Sequence, residues 1–237
     1  MIVEAMAEPA PWTVLSSQVS FSDPWLRVRS DHCLTGEGDV LGPFHVIEYP
    51  DWVTIVPLTR NQQRLIMVRE YCHGVRAVLT GLPGGVVDPA DGTDRLLAAR
   101  VAAERELLEE TGHYNGQFEL LASLHPNPSN QTNTVFCFLA TGLVRAGRPQ
   151  LGGPGEVQEV VERELADVLD ELRRGEAPMH AVHAAALWSA AGRIVADRSG
   201  RFGCSRKRLR RLLTGEAARC PGPPEDEHHL ALLTVGG

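Results

Sequence analysis

The chain has 237 residues, of which 43% are apolar and 22% charged, and its formal net charge is −7. This composition is ordinary for a globular protein, and it excludes a fibrous repeat or a chain that is disordered throughout. The length allows one large domain, or one domain with a smaller appendage.

The basic residues are concentrated in one segment near the C-terminus. Residues 193–211 contain eight Lys and Arg side chains and a single acidic residue, Asp197, which makes a local charge of +7. A dedicated nucleic-acid binder is basic over a whole folded face, so we expect no nucleic-acid partner. The acidic remainder of the chain leaves room for a site that binds a cation.

No segment predicts export or membrane insertion. Residues 1–11 lack the basic start and apolar run of a secretory signal, and no apolar stretch approaches the roughly 18 residues that span a bilayer. The five cysteines are widely spaced and form no Cys-x-x-Cys pair, which predicts neither a disulfide framework nor a zinc site. We therefore expect a cytoplasmic protein without a membrane partner.

The hydrophobic pattern predicts strands first, then one central helix. Apolar runs rich in β-branched residues are separated by Gly, Pro and Asn turn signals, and they are followed by a segment of helical periodicity that ends at Gly112. The predicted strands cover residues 25–34, 45–49, 52–58, 64–71 and 75–82, and the predicted helix covers residues 93–111.

Further strands and two helices are predicted after the central helix. The strands cover residues 118–124, 134–143 and 157–161, and the helices run from Leu165 to Gly175 and over residues 179–191. From Asp197 onward we find no core pattern and expect a basic, loosely ordered tail. The order predicts an α+β fold, or a mixed α/β sandwich, rather than repeated βαβ units. We divide the chain into an N-terminal strand region (1–50), a central domain (51–195) and the tail (196–237).

Three carboxylates of the central helix form the candidate metal site. Glu106, Glu109 and Glu110 stand at positions i, i+3 and i+4, so they share one helical face with β-carbons about 5 to 6 Å apart. Their mutual repulsion is unfavourable, and carboxylates near a helix C-terminus also oppose the helix dipole. An oxygen-seeking divalent cation such as Mg²⁺ reverses the sign of that interaction. The preceding Gly84-Gly85 turn would let a backbone carbonyl reach the metal and a phosphate approach closely.

The segment from Gly85 to His113 resembles the signature of the Nudix hydrolases. Arg105-Glu106-Leu107-Leu108-Glu109-Glu110-Thr111-Gly112 matches its central part. The resemblance implies an α/β/α sandwich that hydrolyses nucleoside diphosphates linked to another moiety with Mg²⁺ or Mn²⁺. It implies that Glu106 and Glu110 are the principal metal ligands, with a backbone contribution from Gly84. It further implies that Glu109 is an additional ligand or the base, and that Arg105 orients the glutamates.

The signature also departs from the family pattern. Asp91 stands where the family has its first glutamate, thirteen residues separate it from Arg105 where the family has seven, and His113 closes the box in place of a hydrophobic residue. None of these changes affects Glu106 or Glu110. We therefore assign no role to Asp91.

Residues outside the signature resemble the branch that hydrolyses ADP-ribose and nucleotide sugars. Arg69, Tyr71, Gly85 and Pro128 are the substrate-binding residues that this likeness implies. Glu156 is either a further carboxylate that would activate water or complete the metal shell, as the likeness implies, or a turn carboxylate in solvent. Cys72 and Gly81 replace an arginine and a glutamate of the branch. The lone histidines 73, 125, 180 and 183 are read mainly as structural.

The sequence therefore predicts a metal-dependent pyrophosphohydrolase that splits a nucleoside diphosphate derivative into a nucleoside monophosphate and a phosphorylated moiety. Two alternatives remain. One is a nucleotide-sensing regulator of the same fold that contacts nucleic acid through residues 206–211; the other is a house-cleaning nucleoside triphosphate pyrophosphohydrolase. The resemblance also implies a homodimer formed through the N-terminal strands.

Overall fold

The structure is a computed structural model that describes residues 10–60, 64–149, 158–202 and 205–215. The strands are β1 (Thr13–Ser22), β2 (Arg27–Leu34), β3 (Val40–Glu48), β4 (Trp52–Pro57), β5 (Arg64–Cys72), β6 (Ala77–Gly81), β7 (Gly84–Val86), β8 (His113–Tyr114), β9 (Gln117–Leu124), β10 (Val135–Thr141), β11 (Val144–Arg145) and β12 (Gln158–Glu164). The helices are α1 (Arg95–Thr111), α2 (Leu165–Arg174), α3 (Ala181–Ala196) and α4 (Ser205–Thr214).

Two sheets form the centre of the fold. One has the order β7-β4-β10-β9, in which β10 runs parallel to β4 and the other pairs are antiparallel; the second is the antiparallel sheet β12-β5-β6. Only Leu82 and Pro83 lie between β6 of one sheet and β7 of the other. The mixture of parallel and antiparallel pairs with flanking helices confirms the predicted α+β class.

The side chains of the central strands point alternately to the two faces of the sheet, and this divides the core into two layers. Side chains of successive strand residues point to opposite faces, so Val53 and Ile55 of β4 pack with α1 on one face, whereas Val56 faces the layer of α2, α3 and α4. β10 is buried along its whole length. The central sheet is thus covered by helices on both faces, which explains why its strands read as unbroken apolar runs.

α1 is fixed at both ends by its own sequence. The Asp94 side chain accepts a hydrogen bond from the Leu97 backbone N–H at 2.8 Å, and Gly112 ends the helix in the left-handed conformation with a φ of 70°. Alanines at positions 98, 99, 102 and 103 are buried against the sheet. Their small side chains allow the helix to lie close to β4 and β7.

The C-terminal segment differs from the sequence prediction. Instead of a loose tail from Asp197, the described residues after α3 include α4, whose Leu209 is fully buried together with Phe202 in the core layer of α2 and α3. Leu209 and Leu212 make only a narrow apolar stripe among basic residues. That stripe is too short to be recognised as a core pattern without its neighbours.

The N-terminal strands form a separate antiparallel sheet, β1-β2-β3. β1 was not among the predicted strands, because its serine-rich sequence lacks a clear apolar run. All ten of its residues are exposed, including Val19 and Phe21. β3 is joined to the body of the protein through the backbone of Ile47, which bonds to Asn130 and Thr132 of the loop before β10.

Within the described ranges, no helix combines the length and the apolar character needed to cross a bilayer. Cys33, Cys72 and Cys137 are free thiols.

Candidate functional site

The predicted carboxylates lie where the C-terminal half of α1 passes the turn between the two sheets. Glu110 accepts a hydrogen bond at Oε2 from the backbone N–H of Gly84 at 2.9 Å, and another at Oε1 from the side-chain amide of Gln158 at 3.0 Å. Burial raises the pKa of Glu110 to about 7, although both hydrogen bonds oppose that shift. The carboxylate is therefore held by β7 and β12 at once.

Glu106 lies directly against Gly85. A β-carbon at Gly85 would be 2.5 Å from Cδ of the Glu106 carboxylate, so the backbone can pass this close only because the residue is glycine. Burial also raises the pKa of Glu106, and the neighbouring charge of Arg105 opposes that rise. The glycine turn predicted to lie near the acidic face does so.

Arg105 connects three acidic side chains. It donates to Glu106 at 2.8 Å, to Glu109 at 3.3 Å and to Asp91 at 3.3 Å, and also to the Val86 carbonyl at 3.0 Å. Glu109 is the most exposed of these three acidic partners, with 46% of its side chain accessible. These contacts place the Arg105 guanidinium between the acidic side chains of α1 and the turn that precedes the helix.

Asp91, to which the sequence analysis gives no role, forms an ion pair with Arg105. Its carboxylate is 6% exposed, faces Arg105, and accepts a second hydrogen bond from the Asp88 backbone N–H at 2.8 Å. Asp91 ends a short 3-10 turn, Pro89–Asp91, and the thirteen residues between it and Arg105 form a short connection and the first turns of α1. The insertion is accommodated without removing Asp91 from the site.

The donor set fits a hard divalent cation by its chemistry. Glu106, Glu109 and Glu110 offer oxygen ligands, and no group among the described residues donates to the buried Oε1 of Gln158, whereas a cation-bound water molecule would supply a donor. Among the described residues, no three His, Cys, Asp or Glu side chains are already grouped closely enough to hold an ion. Glu106 faces Arg105, whereas Glu110 is held by Gly84 and Gln158, so Glu106 would have to turn away from Arg105 to share an ion with Glu110.

Of the predicted substrate-binding residues, Gly85 lies against Glu106, whereas Arg69 and Tyr71 lie apart from this cluster. Arg69 pairs with Glu159 at 3.1 Å and is half exposed, and Tyr71 is 57% exposed beside His73. Because strand residues alternate between faces, Arg69 and Tyr71 lie on the face of β5 opposite to Glu70.

The two remaining predicted residues are Pro128 and Glu156. Pro128 is exposed in the loop between β9 and β10. Glu156 lies outside the described residues.

Two residues of this region were missed by sequence reasoning. Glu70 stands directly opposite Gln158 in the β5-β12 ladder, and the amide of Gln158 donates to Glu70 at 3.1 Å as well as to Glu110. The sequence carries only a weak signal for this pairing, because residues 88 positions apart become neighbours only once the strand register is known.

His183 of α3, for which the sequence predicts a structural role, packs against Gly81 and Leu82, just before the glycine turn. Its Nδ1 accepts a hydrogen bond from the Leu82 backbone N–H at 3.2 Å, and a β-carbon at Gly81 would be 2.8 Å from that nitrogen. Burial lowers the pKa of His183 to about 3. Position 81, where the branch has a glutamate, therefore has no space for a side chain while His183 is in place.

Comparisons with known proteins agree with this architecture. A family model described as NUDIX domain matches residues 49–183, and one described as nucleoside diphosphate sugar hydrolase N-terminal domain matches residues 12–47. The chain is 31% identical over 136 residues to an ADP-ribose pyrophosphatase of Mycobacterium tuberculosis (strain ATCC 25618 / H37Rv), covering 57% of this chain and 62% of that protein. It is 28% identical over 126 residues to a GDP-mannose pyrophosphatase of Enterobacter sp. (strain 638), covering 52% of this chain and 64% of that protein.

A solved structure shares the fold. The crystal structure of an ADP compounds hydrolase superposes with a TM-score of 0.66 at 24% identity, covering 79% of this chain and 96% of that one. In both curated relatives the match spans less than two thirds of the relative's own length.

Proposed function

The chain belongs to the Nudix family, and on that premise we propose that it hydrolyses the pyrophosphate bond of a nucleoside diphosphate derivative such as ADP-ribose or a nucleotide sugar. Water would attack one phosphorus, the bond from that phosphorus to the bridging oxygen would break, and the products would be a nucleoside monophosphate and a phosphorylated moiety. The observation that carries the proposal is the contact of Glu106 and Glu110 with the Gly84-Gly85 turn. The names of the relatives support the substrate class.

Mg²⁺ or Mn²⁺, when bound, would neutralise the pyrophosphate oxygens and lower the pKa of an attacking water. Glu106 and Glu110 would hold it, with Glu109 and the Gly84 carbonyl as further donors. Arg105 would orient the carboxylates of Glu106 and Glu109 through its hydrogen bonds to them.

The chain's own residues would also handle the proton and exclude water. A carboxylate must accept the proton of the attacking water, and Glu109 is the described candidate because it is the most accessible of the three helix glutamates. Glu156 remains the other proposed base. The glycine turn, which carries no side chain between the carboxylates and β4, leaves room for a phosphate to approach the backbone.

A homodimer is part of this proposal. β1 hydrogen-bonds to β2 on one edge, and large apolar side chains remain exposed on the N-terminal sheet, with Val19 45% and Phe21 52% accessible. Exposed apolar surface of this kind is typical of an interaction site, and the match to the N-terminal domain of nucleoside diphosphate sugar hydrolases covers these strands. We propose that a second copy covers this sheet.

A substrate panel tests the proposal. The full chain is incubated with ADP-ribose, GDP-mannose, NADH, coenzyme A and dNTPs, with Mg²⁺ or Mn²⁺ and with EDTA, and the products are identified by chromatography. We expect a metal-dependent release of AMP and ribose 5-phosphate, or of GMP and mannose 1-phosphate. Release of pyrophosphate from dNTPs would support the house-cleaning alternative, and the absence of cleavage on the whole panel would contradict the proposed activity.

A further inference from the structure

Gln158 joins two carboxylates that come from different elements. It is the first residue of β12, directly opposite Glu70 of β5, and its Nε2 donates to Glu70 Oε2 at 3.1 Å and to Glu110 Oε1 at 3.0 Å. The β12-β5 sheet is thereby tied to α1 at the acidic face of the helix. Because β5 and β12 are neighbours in the same ladder, the amide lies between the two acids by register alone.

The orientation of this amide follows from its surroundings. A primary amide has two N–H donors on nitrogen and only acceptors on oxygen. With two carboxylates as neighbours, only the nitrogen can face them, since the oxygen would meet two further acceptors. Oε1 is therefore directed away from both acids, and no group in the described part of the chain donates to it.

Among neutral side chains of this length, only that of glutamine can donate hydrogen bonds to both carboxylates from position 158. A glutamate at position 158 would place a third negative charge beside Glu70 and Glu110, in a region where burial and neighbouring charge already raise the pKa of Glu110. A methionine would have the same length but no donor. Glu110 would then keep only the Gly84 N–H, which bonds to its other oxygen.

We propose that Gln158 is a positioning residue for Glu110: its amide holds this carboxylate between β7 and β12 in the orientation in which Glu110 would bind a divalent cation. This inference rests on the proposed function, because it assumes that Glu110 is a metal ligand. Groups that orient metal ligands commonly change metal affinity about 10- to 100-fold when removed. The effect should therefore appear in cation binding before it appears in substrate binding.

The test compares Gln158→Met with Gln117→Met. Gln117 is also the first residue of a strand, β9, but it is exposed and none of its contacts involves the helix glutamates. Mn²⁺ binding is measured by electron paramagnetic resonance without substrate, and kcat and KM are measured over a range of Mn²⁺ concentrations. For Gln158→Met we expect Mn²⁺ affinity to fall about 10-fold or more, kcat to recover at high Mn²⁺, and KM at saturating Mn²⁺ to stay near the wild-type value. Gln117→Met should bind Mn²⁺ as the wild type does.

The outcomes distinguish a failure of the proposed function from a failure of the role proposed for Gln158. If the wild type neither binds Mn²⁺ nor hydrolyses any substrate of the panel, the proposed function fails, and the role of Gln158 fails with it. If the wild type does both and Gln158→Met binds Mn²⁺ equally well, only the role of Gln158 is overturned. Should Gln158→Met not fold, Gln158→Asn keeps an amide that is one methylene too short to reach both acids, and wild-type Mn²⁺ affinity in that variant overturns the role equally.

Discussion

Asp91 and Arg105 are fourteen positions apart in the sequence, and Nη2 of Arg105 lies 3.3 Å from Oδ2 of Asp91. The Asp91 carboxylate is almost fully buried in this contact. The pair connects the 3-10 turn before α1 to the acidic face of the helix. Arg105 has further partners in Glu106 and Glu109. The position of Asp91 therefore influences the direction in which two of the candidate metal ligands point.

Asp91→Asn should weaken both the fold and the site. The amide keeps the acceptor for the Asp88 N–H but loses the charge that holds Arg105, so we expect a loss of about 1 kcal/mol, or roughly 2–4 °C in Tm, because the arginine is partly solvated. We also expect kcat to fall several-fold as Arg105 moves. Asp88→Asn is the control, because asparagine caps a helix about as well as aspartate. Equal Tm and kcat in the two variants would show that the charge on Asp91 has no role.

Removing the charge of both principal carboxylates should abolish turnover without unfolding the chain. For Glu106→Gln combined with Glu110→Gln we expect kcat to fall by at least about 100-fold, as for the loss of a group that stabilises developing charge. Tm in EDTA should stay the same or rise, because the two side chains repel each other and are partly buried. Circular dichroism and calorimetry check the fold. Glu104→Gln, on the exposed face and paired with Arg100, serves as the control and should retain full activity.

His183 should act through its Nδ1 acceptor. Asparagine places an oxygen near the position of Nδ1, whereas glutamine places its polar atoms near Nε2, so His183→Asn should retain the bond to the Leu82 N–H and His183→Gln should lose it. We expect the glutamine variant to be less stable by about 1 to 3 kcal/mol, the usual penalty for leaving a buried donor unsatisfied. Chemical denaturation measures the difference. Equal stabilities of the two variants would argue against the bond.

The same histidine predicts a pH dependence. Its pKa is lowered from 6.5 to about 3 in the folded protein, so between these values the unfolded chain binds more protons. The stability that depends on the neutral ring is thus fully present above pH 6.5 and is lost as the pH falls toward 3. Subtracting the stability curve of His183→Asn from that of the wild type isolates this contribution. A difference that is flat from pH 7 to pH 4.5 would contradict it.

The exposed N-terminal sheet predicts a dimer that a single charge can weaken. Light scattering should give twice the chain mass of 25.8 kDa for the wild type. Phe21→Asp places an uncompensated charge on the apolar surface of β1 and should shift the equilibrium toward the monomer. Ser22→Asp, at the exposed end of the same strand, should remain dimeric. A monomeric wild type would remove the dimer from the proposed function.

The position of α4 predicts that the C-terminal region contributes to stability. Leu209 is fully buried, so Leu209→Ala should destabilise the protein by about 2 to 5 kcal/mol. Lys207→Ala, on the exposed side of the same helix, should stay within about 0.5 kcal/mol of the wild type. Urea unfolding measures both. If the two variants unfold alike, α4 is not packed in solution as it is in the structure.

The sequence was sufficient for features that depend on local pattern. The helix of residues 93–111 was predicted to within two residues of α1, because its caps and its apolar stripe lie in one segment. The grouping of Glu106 and Glu110 follows from helical periodicity alone. The contacts of Gln158 and His183 could not be found in this way, since each depends on the register or packing of elements far apart in the chain. β1 and α4 were missed because each becomes recognisable only against a neighbouring element.

The two central sheets meet at the short connection between β6 and β7, which we call the seam. Leu82 and Pro83 are all that separates β6 from β7, and Glu110 is held by Gly84 on one side of this seam and by Gln158 on the other. Any sliding of one sheet relative to the other must therefore stretch or break one of these two bonds before it disturbs either hydrophobic layer. On heating, the proposed hydrolysis should be lost reversibly at temperatures where the circular dichroism of the chain is still native. Activity would then report a change in the contact between the two sheets before any loss of secondary structure.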